Sequence, residues 1–358
     1  MLSARRALVD DARRVGYAAA AMGSAVRRLG LGLALIVAVS LLLLLSDNAR
    51  QRGQAQPDGA HRTWQVHILE LVSAIDSDET ARGMREGLAS RLTEGRDYTV
   101  TVRNAHGDMP TLSGIVDAAV GDGADLLMTL STPTLQTALQ RVKTLPIVFA
   151  FSSDPIGAGA GRSFEDHLPN VTGVPTIATY AETVDLIREL LPDARRLGNL
   201  VVPAEVNSVF NTARLVDAAA TRGIEVVTVP VNSSSELSDA TLALLAQNVD
   251  AICQVGSNLT IAGFASIVRS AQQARVPVFG FLSSDARNGA VAVIARDSYE
   301  SGFAAGLLAV RVIQGESPAT MPFRELTSSK LIVNLTAAKL AGVTVPDALR
   351  QRAATLLE

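Results

Sequence analysis

The chain has 358 residues, 48% apolar and 19% charged, with a formal net charge of −3 at pH 7. That length suits two domains plus a further segment, and the apolar share can fill their cores, which excludes bulk disorder. The near-neutral balance excludes a global basic field for nucleic acid.

In chain order, the first feature is an uncharged apolar run over residues 29–46. A bilayer core needs about 17–25 such residues. Arg5, Arg6, Arg13, Arg14, Arg27 and Arg28 precede it, opposed only by Asp10 and Asp11. The positive-inside rule then places residues 1–28 in the cytoplasm and the remainder outside. Two readings stay open, an uncleaved anchor in the inner membrane or a signal cleaved to release the protein into the periplasm. The anchor is favoured, because the run exceeds the usual signal core and no small-x-small site follows it. No cysteine follows it either, which excludes a lipid anchor. Residues 47–61 are polar with Gly and Pro, the composition of a flexible tether.

From Trp64 onward, short apolar runs alternate with amphipathic stretches. Strands are expected at 66–71, 126–130, 147–151, 200–202, 225–229, 251–255, 278–281, 291–294 and 331–334. Helical spacing appears over 80–93, where Met84, Leu88 and Leu92 fall four apart, and over 182–191, where Val184, Ile187, Leu190 and Leu191 form a stripe. Continuous apolar strands separated by helices predict an α/β protein with parallel sheets covered on both faces. Two blocks fit, 62–174 and 175–285.

Polar residues collect just after the strands. They include Asp78, Ser131, Thr132, Asp154, Asn207, Ser208, Ser257, Asn258 and residues 283–285. In open α/β sheets ligands bind outside the carboxyl ends of strands, so two such ends facing one another make a cleft. The same residue types also cap helices, and each could serve that purpose alone. Ser131-Thr132-Pro133 is one example, a cap followed by proline in the first turn.

Catalytic motifs are missing. Gly157-Ala-Gly-Ala-Gly161 imitates a phosphate loop, but a charged loop follows where a helix should start, so a flexible connection is expected. There is no G-x-S-x-G and no H-E-x-x-H. His61, His67, His106 and His167 are scattered without zinc-site spacing, so neither metal nor cofactor is expected. The single cysteine, Cys253, reads as a small core residue in a strand.

Five segments carry a resemblance: Pro146-Ile-Val-Phe-Ala-Phe-Ser-Ser-Asp-Pro-Ile-Gly-Ala-Gly, Asn170-Val-Thr-Gly-Val, Pro203-Ala-Glu-Val-Asn-Ser, Asp297-Ser-Tyr-Glu-Ser-Gly, and the stretch from Asn334 to Pro346. In this order and spacing they resemble the ABC transporter substrate-binding family that includes tryptophan- and tyrosine-binding proteins, across residues 66–346. The resemblance implies a type I periplasmic binding protein, two lobes joined by three crossovers and closing on a small-molecule solute. It implies that 286–320 rejoins the first lobe and 321–358 the second. It also implies ABC permease subunits as partners and a site built from Asp78, Ser131, Thr132, Asp154, Asn207, Ser208 and Asp297, with Ser257 and Asn258 at a neighbouring strand end. Two positions depart from the family pattern. Ser-Ala-Ile stands where the first loop often has His-Pro, and Ser257 stands where an aspartate is usual. If that aspartate meets a ligand ammonium, its loss argues against a plain α-amino acid.

These readings favour the extracytoplasmic solute-binding component of an importer. A membrane-anchored sensing module that presents a liganded shape to a signalling partner is the alternative. An enzyme is disfavoured by the missing catalytic set. A repressor of similar fold is disfavoured because its DNA-binding helices would have to occupy the apolar run.

Overall fold

The computed structural model describes residues 62–358. The expected cytoplasmic segment, anchor and tether, at 1–28, 29–46 and 47–61, lie outside the described residues. Among the described residues no helix is long and apolar enough to cross a membrane.

The first lobe alternates strands and helices: β1 (Trp64–Glu70), α1 (Ile75–Ala89), β2 (Tyr98–Asn104), α2 (Met109–Gly121), β3 (Leu126–Leu130), α3 (Thr132–Arg141), β4 (Ile147–Ser152) and β5 (Val171–Pro175). All five strands are parallel, in the order β2-β1-β3-β4-β5. Every residue of β3 is buried, because helices cover both faces. Val66, Ile68, Met128 and Val148 fill one side, and Leu69, Leu127, Phe149 and Val171 the other.

The second lobe contains α4 (Tyr180–Leu190), β6 (Arg196–Val201), α5 (Val206–Ala220), β7 (Glu225–Pro230), α6 (Leu237–Leu245), β8 (Ala251–Cys253), α7 (Asn258–Ala262), α8 (Phe264–Gln273), β9 (Val278–Gly280), α9 (Ser283–Arg287) and β10 (Ala292–Arg296). The chain then crosses back as α10 (Ser298–Ile313), and returns as β11 (Ser329–Asn334), α11 (Leu335–Leu340), α12 (Asp347–Arg352) and β12 (Thr355–Leu357). This sheet has seven strands in the order β12-β11-β10-β9-β8-β6-β7. Its neighbouring pairs are parallel except β10–β11, so β11 and β12 run opposite to the other five strands.

Three expectations need correction. The second crossover lies after Arg296, not near residue 286, because β10 pairs with β9 and β11 in the second sheet and the chain first packs along α1 and the first sheet as α10. β2, β5 and β12 are absent from the expected strands. In β5 the apolar run is interrupted by Gly173, where a Cβ would strike Phe149 of the neighbouring strand. β6 begins at Arg196, four residues before the expected start, because Gly198 and the buried Asn199 break its apolar pattern. Asn199 Oδ1 accepts from the Val255 N–H at 3.1 Å, so a polar side chain is satisfied inside this sheet.

The α1–α10 crossing depends on glycine. Gly83 and Gly87 on α1 face Gly302 and Gly306 on α10, and a Cβ on any of the four would meet backbone atoms of the partner helix. Small residues four apart let two helix backbones approach closely. This contact holds the returning helix on the first lobe.

Candidate functional site

A cavity opens between the two sheets. From the first lobe, Ser131, Thr132, Phe151 and Ser153 line it, at the carboxyl ends of β3 and β4. From the second, Asn207, Asn211, Gly256, Asn258, Ile261 and Phe281 line it. The crossovers add Thr176, Ala178, Tyr180, Arg296 and Ser298.

The first-lobe edge is strained. Ser131 has φ +85° and ψ +155°, a region otherwise almost restricted to glycine, and Phe151 has φ +55°. Strain at two adjoining strand ends persists only where the surroundings impose it. Here Ser131 Oγ bonds Thr134 Oγ1 at 3.0 Å, and Thr132 Oγ1 bonds Ser152 Oγ at 2.9 Å.

The second-lobe wall is a chain of fixed polar groups. The Tyr180 hydroxyl donates to Asn211 Oδ1 at 2.7 Å, and Asn211 Nδ2 donates to the Gly256 carbonyl at 2.8 Å. Burial pushes the Tyr180 phenol far above its ordinary range, so it stays neutral and donates. Its ring lies 5.1 Å from that of Phe281, which gives the cavity an aromatic side. Glu205 stands behind the wall. It accepts from the backbone N–H of Asn258 at 2.7 Å, Asn258 Nδ2 at 2.8 Å and the Leu259 N–H at 3.1 Å. Asn207 is 7% exposed, and its Oδ1 is buried with no partner. A buried acceptor left unpaired is costly, and Asn207 is among the residues that line the cavity.

Arg296 joins the hinge. Its Nε donates to the Ile177 carbonyl at 2.9 Å, one Nη to the Thr327 carbonyl, and the other to Glu325 at 3.1 Å. One guanidinium thus ties together the three segments that cross between the lobes.

Of the expected site residues, Ser131, Thr132, Asn207 and Asn258 line the cavity. The other five do not, and each has a local partner. Asp78 is exposed and accepts from Ser73 Oγ at 2.6 Å, within its own loop. Asp154 accepts from the Gly157 N–H at 2.7 Å and shapes the turn there. Ser208 Oγ accepts from the Val202 N–H at 2.9 Å. Ser257 caps α7 in a reciprocal pair with Thr260. Asp297 caps α10 and pairs with Lys330, beside a second cleft.

The first-loop carboxylate that bridges the lobes is Asp76, two residues before Asp78. It is 1% exposed and accepts from the N–H groups of Ser283 at 3.2 Å and Ser284 at 3.1 Å, across the cleft on α9, and from Ser298 Oγ at 3.3 Å. Its signal in the sequence was an acidic residue in the first turn of a helix, shared with Asp78.

Among the described residues no group of His, Cys, Asp and Glu could hold a metal. Two α/β lobes with polar strand ends facing across a cavity, linked by three crossovers, define a two-lobed periplasmic binding protein. The family model for ABC transporter substrate binding protein matches residues 65–357, and the chain belongs to that family. It is 28% identical over 309 residues to a tyrosine-binding protein of Clostridioides difficile (strain R20291), covering 86% of this chain and 89% of the relative. An ABC domain from Streptococcus pneumonia solved in complex with L-Trp is 27% identical, with a TM-score of 0.79, and covers 83% of this chain and 100% of its own. A ligand-free, open substrate binding protein with adhesive properties from Clostridium difficile is 26% identical, with a TM-score of 0.64, and covers 82% and 99%. At nearly equal identity the chain matches the L-Trp complex more closely than the open form. The interlobe bonds of Asp76 agree with closed lobes.

Proposed function

We propose that this chain is the extracytoplasmic solute-binding component of an ABC importer. It captures a small polar or amino-acid-like solute between its lobes and presents it to permease subunits in the inner membrane. The observation that carries the reading is the unpaired, buried Asn207 Oδ1 in a cavity walled by both lobes. Its surroundings are fixed hydrogen-bonding groups with no nucleophile–base pair among them, so capture needs no covalent chemistry and leaves the solute unchanged. The relatives named for tyrosine binding and solved with L-Trp support a solute of comparable size.

Native mass spectrometry of the purified protein identifies a co-purified solute, and calorimetry with that solute tests the site. Asn207→Ala is expected to lose about 1–3 kcal/mol of binding free energy, the worth of one buried hydrogen bond. Its ligand-free melting temperature is expected to stay close to wild type, because the removed Oδ1 has no partner and Nδ2 loses only a long 3.4 Å bond to Glu205. Unchanged affinity in this variant would place the solute elsewhere.

Residues 29–46 serve in this reading as the membrane anchor, with residues 1–28 on the cytoplasmic side. The protein is then expected to stay with the membrane fraction through high-salt washing and to be released by detergent. Recovery of most of it as a soluble periplasmic form, trimmed near Arg50, would replace the anchor with a cleaved signal.

A further inference from the structure

The charge of the cavity wall narrows the solute, provided that the cavity is the binding site as proposed above. Among the described residues lining it there is no carboxylate, and the one ionised side chain is Arg296. The nearby acids are engaged elsewhere. Glu205 is turned to Asn258 and Leu259 and accepts from Asn207 Nδ2 at 3.4 Å, Glu325 is turned to Arg296, and Asp76 to Ser283 and Ser284. A guanidinium carries five N–H donors. Arg296 commits three of them, to Ile177, Thr327 and Glu325, and so keeps two. The unpaired acceptor, Asn207 Oδ1, is an uncharged amide oxygen. Phe151, Tyr180, Phe281 and Ile261 supply an apolar, partly aromatic lining between these polar ends.

We propose that the solute is a flat-bodied carboxylate without an α-ammonium group, its carboxylate drawn to Arg296 and a neutral N–H or O–H on its body donated to Asn207 Oδ1. An ammonium closed into this cavity would lose its water and meet a guanidinium instead of a counter-charge, and a buried charge is tolerated only when paired. A carboxylate meets the opposite situation, since planar, charge-assisted bonds to arginine are the strong kind.

The full chain in detergent, titrated calorimetrically with three indoles that differ in their charged groups, tests this. Indole-3-propionate is expected to bind at least about 10-fold more tightly than L-tryptophan, a gap typical of one unpaired buried charge or more. Tryptamine, which carries only the ammonium, is expected not to bind. In Arg296→Gln, indole-3-propionate is expected to lose at least about 10-fold in affinity. Arg296 also braces the hinge, so a melting curve accompanies that variant, and the wild-type series decides the question if it fails to fold. L-tryptophan binding as well as or better than the acid overturns the charge selection while leaving the receptor reading intact. Failure of both indole acids at millimolar concentration overturns the proposal too. The siting of the solute in this cavity fails separately, if Asn207→Ala leaves the affinity for the co-purified solute unchanged.

Discussion

Asp76→Ala is expected to weaken solute binding by about 10- to 100-fold, with both lobes still folded. The Asp76 carboxylate sits on α1 of the first lobe and accepts the Ser283 and Ser284 N–H groups of the second. Opening the cleft breaks these bonds, so they stabilise the closed arrangement specifically. Hydrogen bonds to a charged group contribute about 1.5–3 kcal/mol, and a binding-competent state made rarer lowers the apparent affinity by the same factor. One effect opposes this. Burial pushes the neighbouring Asp285 carboxyl up to about 7, with backbone N–H groups of Leu282 and Phe281 opposing the rise and the Asp76 charge adding to it. Losing Asp76 relieves that repulsion. Below about pH 7 Asp285 is mostly protonated and the relief is small, so the measurement belongs near pH 6. Calorimetry gives the affinity, and small-angle scattering gives the spread of the ligand-free lobes, expected to be wider in the variant. Asp78→Ala serves as control, because its carboxylate reaches only Ser73. Wild-type affinity together with an unchanged scattering profile for Asp76→Ala would remove the clasp from the account.

The second large effect is on stability. Gly302→Ala places a methyl group on the backbone carbonyl of Thr80 in the facing helix. Backbone cannot swing aside as a long side chain can, so α1 and α10 must separate. Overpacking of this kind costs about 1–3 kcal/mol and sometimes more. For a body of this size each kcal/mol lowers the melting temperature by about 2–4 °C, so a drop of about 5–10 °C is expected. Gly114→Ala, on α2 with nothing near its Cβ, is the matched control. It is expected to melt at or slightly above the wild-type temperature, because alanine loses less backbone entropy in a helix. A Gly302→Ala variant as stable as wild type would mean that the two helices are not held in close contact.

Where apolar runs were continuous, the fold was legible. β1, β3 and β4 are buried on both faces, so nothing interrupts their pattern. β5 and the start of β6 were hidden by residues that tertiary contacts require there, Gly173 against Phe149 and Asn199 bonded to Val255. The cavity was legible in part, on both lobes. Ser131, Thr132, Asn207 and Asn258 stand just past strands, where position alone points to a cleft. Asn211 follows Asn207 by one helical turn and shares its buried face, a spacing that could have revealed it. Phe281 reads as the core end of a strand, while Tyr180 and Arg296 look like core or surface residues in one dimension and reach the cavity from the crossovers. The aspartates misled for a common reason. A short carboxylate satisfies itself most readily on the nearest free N–H, so Asp154 turns to Gly157 and Asp297 to Glu300.

The position of Arg296 gives the hinge a property that three independent linkers would lack. Separate strands between two bodies permit twisting, bending and sliding at once. A planar, rigid group fastened to two carbonyls and a carboxylate on the other crossings acts as an axle, because sliding or twisting would break bonds that a simple swing preserves. Such a brace favours a swing of the lobes over a slide. The axle also forms part of the chamber wall, so a guest that pulls on it works directly on the joint. Occupancy and angle are then a single coordinate, and a partner that touches only the outer surfaces of both lobes can read from their angle whether the chamber is full.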